Sequence, residues 1–249
     1  MPDKPGSRKN SKLPRDPLAL LAAGEFEVMG LVPWSSNYTY LVKIKSGADE
    51  TLAIYKPSSG ERPLWDFQTG SLAKRECAAY LISAALGWPN IPPTILREGP
   101  EGEGALQLFV DAAAKEHFFT LRDTHRDEMK KIAVFDSIIN NTDRKGGHIL
   151  LGKDGKIWCI DHGVTFHEYP KLRTVIWDFV GEEIPRELVA DLERLRACLD
   201  RDESLKSELR LLLDRSEMNA LKQRIDELVD AGVYPTPPED WPHIPWPPV

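Results

Sequence analysis

Cysteine is scarce: Cys77, Cys159 and Cys198 stand far apart, odd in number and in no CxxC pair. That excludes a disulfide framework and a zinc ribbon, and it fits a reducing cytoplasm. Long apolar runs are missing as well; none approaches the ~18 residues of a membrane-crossing helix. The basic start (Lys4, Arg8, Lys9, Lys12, Arg15) has no apolar stretch behind it, which excludes a secretory signal. Positive charge is in deficit. The chain carries 32 Lys and Arg against 39 Asp and Glu, a formal net charge of -7. Wholesale nucleic-acid binding is therefore not expected, although a local basic pocket for phosphates remains open.

What is present suffices for a core. A chain of 249 residues, 41% hydrophobic, suits one compact domain of two lobes or two small domains. Residues 1–17, polar, basic and carrying Pro2, Pro5, Pro14 and Pro17, read as a disordered tail. From Phe26 to about Lys56 the pattern is strand-like. Tyr38 to Ile44 and Thr51 to Lys56 are β-branched and aromatic, with Ser46 to Glu50 as a hairpin loop between them. Ser71 to Leu86 reads as a helix with a stripe of Leu72, Cys77, Leu81, Ile82 and Ala85, capped by Ser71 and stopped by Gly87. Short strands return at Thr94–Leu96 and Ala105–Val110.

A second helix is expected over Asp127–Asn140, then a hairpin of Ile149–Leu151 and Lys156–Ile160 around a Gly152–Gly155 turn. Residues 186–231 are helical, with leucine stripes through Leu188, Leu192, Leu195 and Leu199 and again through Leu221, Ile225 and Leu228. Residues 235–249 hold seven prolines and two tryptophans and belong to no helix or sheet interior. They are expected either to lie extended over the helical part, pinned by Trp241 and Trp246, or to form a loose polyproline-like arm. The pinned form is preferred, because two free tryptophans would be an apolar liability.

The chemistry concentrates around the second hairpin. Asp143 precedes its first strand and Asp161 ends its second, so the turn brings two carboxylates to one end. One acid can hold a divalent metal while the other orients a nucleophile. Either aspartate alone would read as a turn residue. His148 starts the first strand between them. Lys56 ends a strand on the face shared by Leu52 and Ile54, which a snorkelling surface lysine would also explain. Glu76 in the following helix can pair with it, although Lys74-Arg75-Glu76 would also suit a solvated face. Ser35-Ser36-Asn37 are small enough for backbone N–H groups to close on phosphate oxygens, or to make an ordinary turn. His148, Asp161 and His162 would also compose a zinc site, a reading that leaves Lys56 and Glu76 unexplained.

This order of phosphate loop, strand lysine, helix glutamate, Asp143-Arg144-x-x-x-His148 and Ile160-Asp161-His162-Gly163 resembles the protein-kinase-like fold. It is most similar to the phosphatidylinositol 3-/4-kinase-related branch and its bacterial relatives, including HipA-type kinases and an uncharacterised actinobacterial family. The resemblance covers about residues 26–185. It implies a two-lobed α+β fold: a tail over 1–17, a β-rich N-lobe with one helix over 18–110, a mostly helical C-lobe over 111–234, and a Pro/Trp-rich tail over 235–249. It implies ATP with Mg²⁺ or Mn²⁺. Ser35, Ser36 and Asn37 would cover the phosphates, Lys56 would bind them with Glu76 holding it, and Gln107, Phe109 and Val110 would lie at the adenine hinge. Asp143 would be the catalytic aspartate and Asp161 a metal ligand.

Two positions depart from the family pattern. Lys145 stands where the motif has histidine, and would stabilise transferring charge as a point cation. His148 stands where it has the metal-binding asparagine, and suits Mn²⁺ better than Mg²⁺. The expected activity is phosphoryl transfer to an unidentified protein or small-molecule acceptor, with no nucleic-acid partner and no integral membrane association. A nucleotide-binding pseudokinase and an AMP transferase on the same scaffold are the alternatives.

Overall fold

The computed structural model describes residues 16–249 apart from 34, 36, 202, 240 and 241. Ser36, Trp241 and most of the expected N-terminal tail thus lie outside the described residues. The chain is a mixed α/β structure, with a five-stranded antiparallel sheet followed by a mainly helical half. Strands β1 (Glu25–Leu31), β2 (Tyr40–Ser46), β3 (Asp49–Pro57), β4 (Thr94–Gly99) and β5 (Gly102–Leu108) are ordered β1-β2-β3-β5-β4. The β2–β3 turn is tighter than expected: Ser46 already pairs with Asp49 across Gly47 and Ala48.

Residues paired across antiparallel strands share a face, so the register divides the sheet. Val42, Ile44, Ala53, Tyr55, Leu106 and Leu108 form a buried cluster on one side with Leu20 and Leu21. Those two leucines belong to α1 (Pro17–Ala23), a helix the sequence reading did not foresee and which begins at the last residue of the expected tail. Asp16 caps it by accepting from the Ala19 N–H at 3.0 Å, and Pro17 sits in its first turn. The other face carries Lys56 opposite Ala105, and Ala105 packs on Ala73 and Cys77 of α2 (Leu72–Leu86).

Helix α2 stops where Gly87 predicted, Gly87 adopting the left-handed conformation with φ 81°, and starts after Ser71, but the Ser71 hydroxyl makes no cap bond and donates instead to the Gln68 carbonyl at 2.6 Å. Its burial does not follow the expected stripe. Ala85 is exposed, while Arg75, Glu76 and Ser83 are buried. The reason is its place between the sheet on one side and α5 (Arg186–Arg201) and α6 (Glu203–Leu212) on the other. A helix enclosed on several sides buries polar residues once each finds a partner.

The larger core gathers around α4 (Arg126–Ile139), whose Met129, Ile132, Phe135 and Ile138 are fully buried, with Leu188, Leu192 and Leu199 of α5 and Leu221 and Ile225 of α7 (Arg215–Ala231). A short α3 (Phe118–Leu121), also unforeseen, precedes α4. Strands β6 (Ile149–Leu151) and β7 (Ile157–Cys159) form the expected second hairpin. Helix α7 is closed by a reciprocal cap: the Asp214 carboxylate accepts from the Glu217 N–H at 2.9 Å, and Glu217 accepts from the Asp214 N–H at 3.0 Å.

Burial works to raise the Asp214 pKa, but the hydrogen bonds from Glu217 and Ser216 outweigh it and hold the carboxyl below its ordinary 3.8. The cap's contribution is therefore complete above the ordinary carboxylate range and fades as pH falls through the lowered value. Asp214→Ala is expected to cost about 1 kcal/mol in denaturant unfolding at pH 7. Its effect should shrink at pH 2–3, below the carboxylate range.

Candidate active site

The sheet's α2-facing surface and the β6–β7 hairpin meet at one lysine. Lys56 Nζ contacts Glu76 Oε1 and lies 2.9 Å from Asp161 Oδ1. β3 supplies the lysine, α2 the glutamate, and the chain just past β7 the aspartate. Three positions separated by up to 105 residues thus share one cleft. Glu76 is buried, whereas about half of the Asp161 side chain stays open to solvent (51%). Burial alone would lower the Lys56 pKa, but Asp161 and Glu76 outweigh it and hold the ammonium above its ordinary value. The same contact, with Lys56 as its main cause, holds Asp161 far below the usual carboxylate range.

The turn after Asp161 is fixed from α2. Glu76 Oε2 accepts from the His162 N–H at 3.0 Å, and the Arg75 guanidinium donates to the Thr165 carbonyl. Arg75 itself is buried, paired with Glu217 of α7 and lying over the Phe67 ring. Gly163 lets α2 come this close; a Cβ there would sit 3.3 Å from Leu72 Cβ. Asp161 and Phe166 bracket the turn with positive φ of 65° and 61°, a conformation that survives because both flanks are held.

Asp143 sits on the loop between α4 and β6, reached from Asn140, which ends α4 in the left-handed conformation with φ 52°. Its carboxylate lies 3.1 Å from Lys145 Nζ. Burial pushes the Asp143 pKa up, and Lys145 opposes the rise.

The loop is anchored by a network the sequence reading did not identify. Arg144 is fully buried and bonds both oxygens of Asp136 in α4, at 2.9 to 3.1 Å. It also donates to the Ile160 carbonyl at 3.0 Å and to His162 Nε2 at 2.7 Å. Asn141 donates to Asp136 Oδ1 at 3.0 Å and accepts from the Asp143 N–H at 3.0 Å. Asp136 was legible only as a polar residue inside the apolar α4 pattern, and Arg144 only as a motif letter.

The zinc reading of His148, Asp161 and His162 does not hold. His162 is buried, its Nε2 accepts from Arg144, and burial keeps the ring neutral. Among the described residues no three His, Cys, Asp or Glu side chains form a metal-holding group. His148 lies with Nε2 3.2 Å from Asp161 Oδ2, and its Nδ1 accepts from the Lys145 N–H at 3.4 Å. Burial presses its pKa down to about 4, so the ring is neutral at pH 7. An accepting Nδ1 assigns the ring proton to Nε2, which donates to Asp161. In this arrangement His148 orients the acid and offers no lone pair to an ion.

The Asp161 carboxylate, half-open to solvent, is an oxygen donor of the kind a hard divalent ion takes. Among the described residues no cluster of ligands encloses an ion there, so such an ion would take its remaining oxygens from phosphates and water, as Mg²⁺ does with nucleotides.

The expected phosphate loop and hinge are placed less directly. Ser35 Oγ lies 2.8 Å from Thr39 Oγ1, and Asn37 Oδ1 accepts from the Arg62 N–H at 2.9 Å, so both side chains serve the loop itself. Gln107 is buried inside β5 and donates to Thr94 Oγ1 at 2.9 Å. Phe109 and Val110, half-buried, follow the end of β5, and the Phe109 N–H is bonded to the Leu52 carbonyl.

Comparison with known proteins settles the family. The family described as phosphatidylinositol 3- and 4-kinase matches residues 72–234, from α2 through α7. The chain belongs to the phosphatidylinositol 3- and 4-kinase family. The matched region extends further toward the C-terminus than the sequence motifs suggested, and it begins after Lys56. This phosphatidylinositol-kinase-related chain is 39% identical to Protein Rv2133c of Mycobacterium tuberculosis, across 93% of this chain and 95% of the relative. It is 30% identical to phosphatidylinositol 4-kinase gamma 4 of Oryza sativa subsp. japonica over 53% of this chain, spanning only 30% of that protein. Among solved structures, the Helicobacter pylori proinflammatory kinase CtkA superposes with a TM-score of 0.52 at 12% identity, covering 85% of this chain and 94% of that one. That likeness is one of kinase-like fold. At superfamily level the chain is a kinase-like phosphotransferase. No helix of the described residues is long and apolar enough to cross a membrane.

Proposed function

We propose that the chain is an ATP-dependent phosphotransferase working in the cleft between the sheet and the β6–β7 hairpin. The observation that carries this is Lys56, held between Glu76 and Asp161. A buried-side cation beside a half-open carboxylate is arranged to grip phosphate oxygens on one side and a metal-phosphate group on the other. Asp161 would hold the divalent ion, which when bound would neutralise charge on the phosphates. Asp143 takes the acceptor's proton: the new O–P bond forms on the γ-phosphorus as the bond to the β-phosphate oxygen breaks and ADP departs. Burial raises the Asp143 pKa above the ordinary 3.8, which makes it a stronger base than a free aspartate. Lys145, 3.1 Å from Asp143, is placed to offset charge on the transferring group.

A second reading, a nucleotide-binding module with weak turnover, is favoured by His148 alone, because it fills a metal-ligand position with a ring whose Nε2 donates to Asp161. Transfer of AMP in place of phosphate would show as the group found on the product.

The test is a thermal-shift matrix of purine nucleotides against Mg²⁺ and Mn²⁺. A ligand that binds only the folded state raises its stability by about 2.7 kcal/mol at a hundredfold excess over Kd. ATP with either metal should raise the melting temperature, and Asp161→Asn should abolish the metal-dependent part. No shift with any nucleotide and metal would refute the proposal.

A further inference from the structure

The segment 242–249 lies against the chain around residues 146 and 173–177, and Trp246 does not pin it there. Trp246 is 84% exposed and Ile244 49%. Its anchors are main-chain carbonyls. The His243 carbonyl accepts from the Thr174 N–H at 3.0 Å and from Trp177 Nε1 at 3.1 Å. The Ile244 carbonyl accepts from Arg173 Nη2 at 3.4 Å, and the Pro248 carbonyl accepts from the Gly146 N–H at 2.7 Å. The His243 ring also packs edge-on against Trp177. Pro242, Pro245, Pro247 and Pro248 have no N–H, so half of the strap's eight residues can only accept through their main chain.

The surface beneath it behaves as an open strand edge. The segment around Arg173 to Val175 already pairs with the catalytic loop on its other side. Arg144 N–H donates to the Arg173 carbonyl at 3.0 Å, and Val175 N–H to the Arg144 carbonyl at 3.1 Å. Thr174 N–H points the opposite way, to the strap, as alternation along an extended chain requires. Arg173 Nε is buried without an acceptor among the described residues. Gly146 keeps the approach clear: a Cβ there would stand 3.0 Å from the Phe119 ring and 3.3 Å from the Pro248 oxygen. Donors from residues 146, 173, 174 and 177 therefore face one track, whose nearest donor, Gly146, is one residue from Lys145 and three from Asp143 in the chain.

We infer that this track is a polypeptide groove, the acceptor side of the site, and that residues 242–249 occupy it as a tethered stand-in. Adding an extended chain to an exposed edge takes affinity from main-chain hydrogen bonds and specificity from side-chain pockets. The strap presents the backbone of such a ligand and no Ser, Thr or Tyr, so it fills the groove without being a phosphoryl acceptor. The ligand class is an extended peptide, and the strap must leave before one enters. What the groove delivers to Asp143 rests on the kinase reading; that it binds peptide does not.

The experiment inserts a specific protease site after the exposed Glu239 of the full chain and cuts the folded protein. Binding of fluorescein-labelled Pro-His-Ile-Pro-Trp-Pro-Pro-Val, the sequence of residues 242–249, is then followed by anisotropy after dialysis. A tether holds the native strap at millimolar effective concentration, so the uncut chain should bind the free peptide at least tenfold more weakly than the cut chain. Equal binding, or a folded cut chain that takes phosphatidylinositol vesicles and not peptide, overturns the inference. If cutting unfolds the protein, amide exchange in the untouched chain decides. The amides of Gly146 and Thr174 should exchange at least tenfold faster than those of Arg144 and Val175, and equal rates would mean that the strap is a fixed part of the fold. Peptide binding without ATP turnover would count against the kinase proposal and leave the groove standing.

Discussion

Asp136→Asn is expected to destabilise the fold by about 3–5 kcal/mol in denaturant unfolding, because it leaves the buried Arg144 guanidinium without its counter-charge. Both side chains are fully buried, and the carboxylate accepts bonds from Nε and Nη2 of the arginine. Asn retains one acceptor oxygen but no charge. The cost should fall when Arg144→Met is added, since replacing both partners removes the stranded charge. Recovery should be partial, because Arg144 also donates to the Ile160 carbonyl and to His162. A loss under 1 kcal/mol for the single variant would mean that the pair contributes little to the fold.

Asp143→Asn should lower the turnover number by about 10²–10⁴, the range that a positioned general base supplies. The nucleotide-induced shift in melting temperature should persist, since Lys56, Glu76 and Asp161 are untouched. Asp161→Asn should remove both turnover and the metal-dependent shift. Two aspartates at one hairpin would thus separate by readout: one acts on the rate at saturating nucleotide, the other on metal-nucleotide binding. Equal loss of binding in both variants would assign Asp143 to the metal and leave the base unidentified.

Much of the fold could be read in advance because its local signals agree with its environment. The β2–β3 hairpin, α2 with Gly87 behind it, the β6–β7 hairpin and the leucine-striped helices each satisfy a period, a cap or a turn that needs no distant partner. The readings that departed from the structure lie where tertiary contact overrides the local pattern. α1 is seven residues long and too short to be stable alone; it exists because Leu20 and Leu21 cover the sheet. Ala85 is apolar yet exposed, and Arg75 charged yet buried, because α2 is enclosed by elements more than a hundred residues away in sequence. Gln107 reads as a hinge residue beside Phe109, but strand alternation and Thr94 draw its side chain inward. Residues 242–249 do lie against the fold as expected, but Trp246 is exposed and the carbonyls of His243, Ile244 and Pro248 hold them, which no side-chain pattern displays.

The amino-acid order by itself determined which residues are candidates for the chemistry and which stretches are mostly helix or strand, since periodicity, capping and motif spacing act over a few residues. Only the packed molecule decided which of those groups meet. Lys56, Glu76 and Asp161 converge because a sheet, a helix and a hairpin close on one another. Asp136 became the anchor of the Asp143 loop because it is the carboxylate that packing brings to the buried Arg144 guanidinium. Long-range burial selects partners for charged groups, and that selection is made in three dimensions, where chain separation carries no information.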